Sequence, residues 1–332
     1  MQILKSILAK TNILIVALIF FMIVIIVNNS FSDAHTETIS MTEVCANAQK
    51  DQKTVLYTYT GNETVVPKNA STNAELFPEC LFMLVMNETD HEVIVAKNPH
   101  VRIYPASMTK MMTACVVLDA IESGKISLTD MVTIENHYDL TYDDVAPFDM
   151  SYGSVISVKD LLYGLMIESN NYYALILADY VAGSEEAFVR MMNDKAKSIG
   201  ATGTHFENPH GLDEEQHFTS PYDTYLILKE LASHDIAKEI DSFETYEYTY
   251  TNGIGETVDM ESIPTNAFLL GEASLPSGFT MLSWKTGTTS AAGNCLAMMV
   301  EHQGKQYVLI GSSTESRKAL YEAMVRAICM IP

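Results

Sequence analysis

The sequence predicts an α+β fold, in which strands near both ends of the chain form one sheet and helices lie between them. Three observations carry this. Strand-like runs occupy 81–87 and 92–97, then 281–286, 295–301 and 307–312. Between them, 158–167, 172–181, 185–198 and 222–233 repeat their apolar residues at helical spacing. A length of 332 residues with 48% hydrophobic content supplies a core for one large domain or two small ones.

Taken in order, residues 13–27 are uninterruptedly apolar, with Lys5 and Lys10 before them and Asn28-Asn29-Ser30 after. The run lies between a signal-peptide core of about 7–15 residues and a transmembrane helix of about 20. The lysines precede it, so the chain beyond is expected to cross the membrane. Residues 1–34 are therefore expected to be an anchor or signal peptide. The protein is expected to be single-pass in the cell membrane with its bulk outside, or secreted if cleavage follows Ser32-Asp33-Ala34. Residues 35–79 are polar, with a β-like patch at 54–59, and are expected to form an extracytoplasmic stalk. The domain proper is expected over 80–332. A net charge of −22 repels phosphates, so no nucleic-acid partner is expected. Of the five cysteines, Cys115 falls in an apolar helical run, and Cys45 could bridge to Cys80 after export.

The two runs joined by Glu88-Thr89-Asp90-His91 read as a hairpin. Pro105 then biases Tyr104 away from helix, and a helix beginning near Ser107 continues through the apolar 111–121. Further on, 158–167 delivers Ser169 at its far end. Tyr246, Tyr248 and Tyr250 alternate with Glu247 and Thr249 as in a half-buried strand, and 318–331 reads as a closing helix.

The helix near Ser107 sets Ser107 and Lys110 one turn apart on one face. A serine is a weak nucleophile until a base takes its proton, and a lysine kept neutral by burial or a nearby cation can be that base. Alone, the pair equally describes a capping serine with a solvated lysine. Two further stretches accompany it: Ser169-Asn170-Asn171 and Lys285-Thr286-Gly287.

These three stretches, in this order, match a motif set shared by penicillin-binding proteins and class A β-lactamases. With YPASMTKMM from Tyr104 and Asn208-Pro209-His210-Gly211-Leu212, the chain resembles the serine-type D-alanyl-D-alanine carboxypeptidases, the low-molecular-weight penicillin-binding proteins, from about residue 80 on. The resemblance implies a β-lactamase/transpeptidase-like fold: an antiparallel sheet flanked by helices, with an inserted helical subdomain and the site at their junction. It implies Ser107 as the acylated residue, Lys110 as its base and Ser169 as proton relay. Asn171 would hold the substrate amide, and Lys285 and Thr286 its terminal carboxylate. Gly287 would let the substrate lie alongside as an added strand, with the N–H groups of Ser107 and Thr288 as the oxyanion hole. The expected partners are peptidoglycan stem peptides ending in D-Ala-D-Ala and β-lactam antibiotics. No cofactor is expected. No metal is expected either, since His205, His210 and His217 fit no common zinc spacing and read as structural.

Three departures stand out. Asn170 fills the middle of the second motif, Tyr172-Tyr173 follow it, and Ser283-Trp284 precede Lys285 where Asp-Gly and an aliphatic residue are common. The last two bear on substrate fit. A β-lactamase and a catalytically silent peptidoglycan-binding protein remain as alternatives. The former would need a deacylation base, and Glu207 lies in no pattern that suggests one.

Overall fold

A computed structural model describes residues 55–56, 59–60, 63–138, 140 and 150–332. The apolar run 13–27 lies outside them, and among the described residues no helix is long and apolar enough to cross a membrane.

Strands β1 (Val55–Leu56), β2 (Tyr59–Thr60) and β3 (Glu63–Thr64) come first. The hairpin of β4 (Phe82–Asn87) and β5 (Glu92–Lys97) follows, its turn closed by the Asp90 N–H on Asn87 Oδ1. A short 3-10 turn, Ala106–Met108, leads into α1 (Thr109–Glu122). Beyond β6 (Met131–Thr133) and β7 (Val155–Ser157) come α2 (Val158–Ile167), α3 (Asn171–Ala182) and α4 (Glu185–Ser198). Ser157 and Ser184 cap the first and last of these through their hydroxyls. Then α5 (Pro221–Ser233) and α6 (Asp235–Asp241) precede β8 (Tyr246–Thr251) and β9 (Thr257–Ser262). Last come β10 (Phe279–Thr289), β11 (Gly293–His302), β12 (Lys305–Thr314) and α7 (Arg317–Cys329).

The main sheet is antiparallel, in the order β1-β5-β4-β12-β11-β10, so its two halves come from opposite ends of the chain. Side chains alternate between its faces. Gly311 turns toward Leu320 and Met324 of α7, while Leu84, Ala297 and Ile310 point the other way, into a core shared with α1, α2, α3 and α5. The sheet is thus buried on both sides, which is why its strands read as near-continuous apolar runs.

Two expectations need correction. The tyrosine strand β8 does not join the main sheet. It lies in a second sheet, β6-β7-β8-β9, where Tyr246 packs at a tilt against Tyr163 of α2 and Tyr248 shares a hydroxyl hydrogen bond with Tyr173 of α3. Nor are residues 64–79 a stalk. Val66 and Phe77 are buried, Thr72 pairs with Ala96, the Asn73 side-chain amide donates to the Ile94 carbonyl, and Arg326 of α7 reaches Leu76 O and Glu79. Cys80 is a free thiol, so the bridge to Cys45 does not form; Cys115 is free and buried, and Cys329 is disulfide-bonded.

Candidate active site

The nucleophile region starts from a backbone that L-residues avoid. Ala106 adopts φ 48°, a left-handed conformation that costs a non-glycine residue about 1–2 kcal/mol. It is held by tight packing on two sides. A side chain on Gly211 would collide with the Ala106 carbonyl at 2.0 Å, and one on Gly287 would sit 3.1 Å from Ala106 Cβ and 3.2 Å from the Ser107 nitrogen. The two glycines therefore let the Pro-His-Gly-Leu loop and β10 close on the turn that carries Ser107.

Lys110, one turn on, is wholly buried. Its Nζ lies 2.9 Å from Ser107 Oγ, 2.6 Å from Asn171 Oδ1 and 2.6 Å from the His210 carbonyl. A neutral amine has two N–H groups and one lone pair. The two carbonyl oxygens accept the N–H groups, and the lone pair is left for the Ser107 hydroxyl. Burial, and then the neighbouring Lys285, hold Lys110 well below the usual lysine range, which favours that neutral form.

Asn170 explains the altered middle motif. It caps α3, its Oδ1 accepting from the N–H groups of Tyr172 and Tyr173, and the cap fixes Asn171 as the first helical residue beside Lys110. Ser169, just before, has φ 67°, and its buried Oγ makes no hydrogen bond among the described residues. The tyrosine pair is accommodated by Gly164: a Cβ there would meet the Tyr173 ring at 2.4 Å.

The third motif lies on β10, an edge strand of the main sheet. The Trp284 N–H points away from β11, toward Asp241. Residues two apart on a regular strand share that orientation, so the N–H groups of Thr286 and Thr288 face the open edge. Lys285 is fully buried; burial lowers it to about 7, against the attraction of Asp241. Thr286 shares a hydroxyl hydrogen bond with Thr265.

Every expected site residue is thus gathered between the nucleophile turn, the Ser169 loop and β10. Of three supporting residues, Asp213 and Asp241 were missed by the sequence reading, which named His217 only as a structural histidine. Asp213 clasps the far end of β10 through Thr289 Oγ1 and the Ala291 N–H. His217, accepting from the Glu207 N–H at Nδ1, presents Nε2–H to Thr109 Oγ1 at 2.8 Å. Asp241 holds Ser283 and Trp284, which are buried and contact α6 rather than forming a substrate surface. Those two departures from the usual pattern were the available signal for Asp241. His205 and His210 also bond within their loop, to the Gln216 carbonyl and the Leu212 N–H. Elsewhere, Asp119, Glu230 and His234 cluster, and Lys195 supplies the positive charge there, pairing with both carboxylates.

A family model described as D-alanyl-D-alanine carboxypeptidase matches residues 71–312. The chain is 33% identical over 248 residues to the D-alanyl-D-alanine carboxypeptidase DacC of Escherichia coli, covering 74% of this chain and 56% of that one. It is 34% identical over 180 residues to DacF of Bacillus subtilis, covering 54% and 46%. It therefore spans about half the length of the curated relatives it matches. Among solved structures, the Streptomyces K15 DD-transpeptidase superposes with a TM-score of 0.66 at 24% identity, over 80% of this chain and 99% of that one. This last likeness establishes the β-lactamase/transpeptidase-like fold.

Proposed function

The chain belongs to the D-alanyl-D-alanine carboxypeptidase family, and on that premise we propose that it removes the terminal D-alanine from peptidoglycan stem peptides through an acyl-enzyme on Ser107. The observation that carries this is the buried Lys110 amine, its Nζ 2.9 Å from Ser107 Oγ, on a turn packed against Gly287 of the edge strand β10.

A peptide ending in D-Ala-D-Ala adds to β10 as a further strand, its carboxylate toward Lys285 and Thr286. Ser107 Oγ attacks the carbonyl carbon of the penultimate residue and passes its proton to Lys110. The resulting oxyanion is held by the N–H groups of Ser107 and Thr288. Asn171 already gives Oδ1 to Lys110, which leaves its Nδ2–H₂ for the substrate amide. The C–N bond breaks as Ser169 hands its proton to the departing amine and takes the one held by Lys110 in return, and D-alanine leaves. Water then cleaves the ester and regenerates Ser107. β-Lactams acylate the same serine, because their strained amide reacts with an activated nucleophile.

The assignment is tested by D-alanine release from such a peptide, with intact-mass analysis and peptide mapping after penicillin. The expected adduct is on Ser107. Labelling at another residue would sink the assignment, and labelling without turnover of either compound would favour a silent binding protein.

The reading extends to location. Residues 13–27 hold the protein in the cell membrane with the enzyme outside, supported by the purity of that run and the two lysines before it. N-terminal sequencing of the mature protein decides this: a start at His35 would mean a cleaved signal and a released enzyme.

A further inference from the structure

Asp241 closes α6 and is only 4% exposed. Its Oδ2 accepts the Ser283 hydroxyl at 2.6 Å and the Trp284 N–H at 3.3 Å, while its own carbonyl accepts Trp284 Nε1–H at 3.2 Å. Three hydrogen bonds from one helix end thus fasten the two residues immediately before Lys285. They also occupy the outward N–H of Trp284, so the open length of the edge strand begins at Thr286. Ser283 and Lys285, two apart on the strand, share a face and lie about 6–7 Å apart along it. The carboxylate that grips Ser283 therefore lies behind Lys285.

The two lysines of this site have opposite needs. On the proposed carboxypeptidase reading, Lys285 must carry charge to hold a substrate carboxylate, whereas Lys110 must be neutral to take a proton. Both are wholly buried, and a proton on either disfavours one on the other. Something must decide which holds it. Asp241, from α6, attracts the charge on Lys285, and a charged Lys285 in turn disfavours charge on Lys110 of α1.

We propose that Asp241 is a positioning residue for Lys285: its buried carboxylate fixes the Ser283-Trp284 end of β10 and supplies the negative charge that keeps the cation on Lys285 and off Lys110. The inference rests on the carboxypeptidase reading and adds a residue that the three motifs do not contain. Burial raises the Asp241 carboxyl to about 7 even against the bonds from Ser283 and Trp284 and the field of Lys285.

The test is Asp241→Asn, which keeps an oxygen acceptor for Ser283 and Trp284 but removes the charge. D-alanine release is measured against pH for both proteins. At low pH the wild-type carboxyl is protonated, so the two converge. As pH rises, Lys285 loses its proton earlier in the variant, and the alkaline limb of kcat/KM moves about one pH unit lower. At a fixed pH above that limb the loss is about tenfold and resides in KM, with kcat changed less than about twofold. A lower melting temperature with the limb unmoved means that Asp241 only packs, and overturns the proposal. If the variant does not fold, Ser283→Ala carries the test. It removes a donor that holds Asp241 ionised, so the limb must still move down, and an unmoved limb overturns the proposal. Failure of the unsubstituted protein to release D-alanine overturns the carboxypeptidase reading and this inference with it; release with an unmoved limb overturns this inference alone.

Discussion

A buried amine beside a hydroxyl is useful only while uncharged, so the reactivity of Ser107 depends on what Lys110 is denied: solvent, and freedom from a second cation. This makes acylation pH-dependent in a definite direction. Falling pH protonates Lys110 and removes the base, giving an acid limb well below the ordinary lysine range. Rising pH strips Lys285, which burial brings to about 7, and weakens its hold on the substrate carboxylate. We expect kcat/KM for D-alanine release to be bell-shaped, and Lys285→Arg, whose guanidinium keeps its proton, to remove the alkaline limb. A limb that persists in that variant would mean another group controls it. Lys110→Ala should slow penicillin acylation about 10²–10⁴-fold, read by the rate of the mass shift on Ser107. At this scale the three motifs made the reacting groups legible. The groups that tune them were less so, because Asp213 and Asp241 lie outside the three motifs and meet them only through the fold, and His217 read only as a structural histidine.

The loop from His205 to His217 works as a brace. Its His210 carbonyl holds Lys110, the Pro209 carbonyl accepts from Thr113, and His217 ties it to the first residue of α1. Both histidines are deeply buried, each with Nδ1 already accepting a backbone N–H, and burial lowers each to about 3. The unfolded chain binds these two protons near pH 6.5 and the folded chain does not, so stability is complete above that pH and falls as pH drops toward about 3. Each contributes a slope of about 1.4 kcal/mol per pH unit in that window. We expect urea midpoints to decline on acidification, and His217→Gln to reduce the steepness; an equal slope in the variant would exclude His217 as a source. A second expectation concerns Gly211, at φ 93° against the Ala106 carbonyl. Gly211→Ala should displace the nucleophile turn and slow acylation by more than its effect on melting temperature would suggest, as measured by penicillin labelling and thermal unfolding together. Most long elements here were legible from periodicity. The exceptions have physical reasons: α6 is seven residues long and buries only Ala237, Ile240 and Asp241, and β9 alternates weakly with largely polar residues. Alternation in β8 revealed which residues are buried but not which strand they pair with, so its place in a separate sheet was hidden.

At the scale of the whole molecule, one sheet joins segments more than 200 residues apart, and its free edge carries the third motif of the proposed site. The polar segment 64–79 looked like a spacer because threonine and asparagine are common in linkers. Here Thr72 and Asn73 are buried with the sheet, and Phe77 is sealed beneath them near α7. The same architecture sets the fate of an acyl-enzyme. Clearing a penicilloyl ester quickly requires a base that activates water beside it, because the opened drug stays attached and obstructs the site, whereas a departing D-alanine vacates it. Of the acidic residues in the adjacent loop, Glu207 is exposed and its carboxylate accepts the Gln216 N–H, closing its own loop, Asp213 is engaged by Thr289 and the Ala291 N–H, and Glu214 and Glu215 are exposed. Among the described residues, the base in contact with Ser107 Oγ is Lys110. We therefore expect repeated release of D-alanine from a D-Ala-D-Ala peptide, and a penicillin adduct that hydrolyses about 10²–10⁴-fold more slowly than in a dedicated β-lactamase, the usual worth of a general base. Intact mass followed over time after one equivalent of penicillin measures that lifetime. Rapid multiple turnover of penicillin with no D-alanine release would instead make the protein a β-lactamase, and would require a water-activating group that this arrangement of Lys110, Glu207 and Ser169 does not supply.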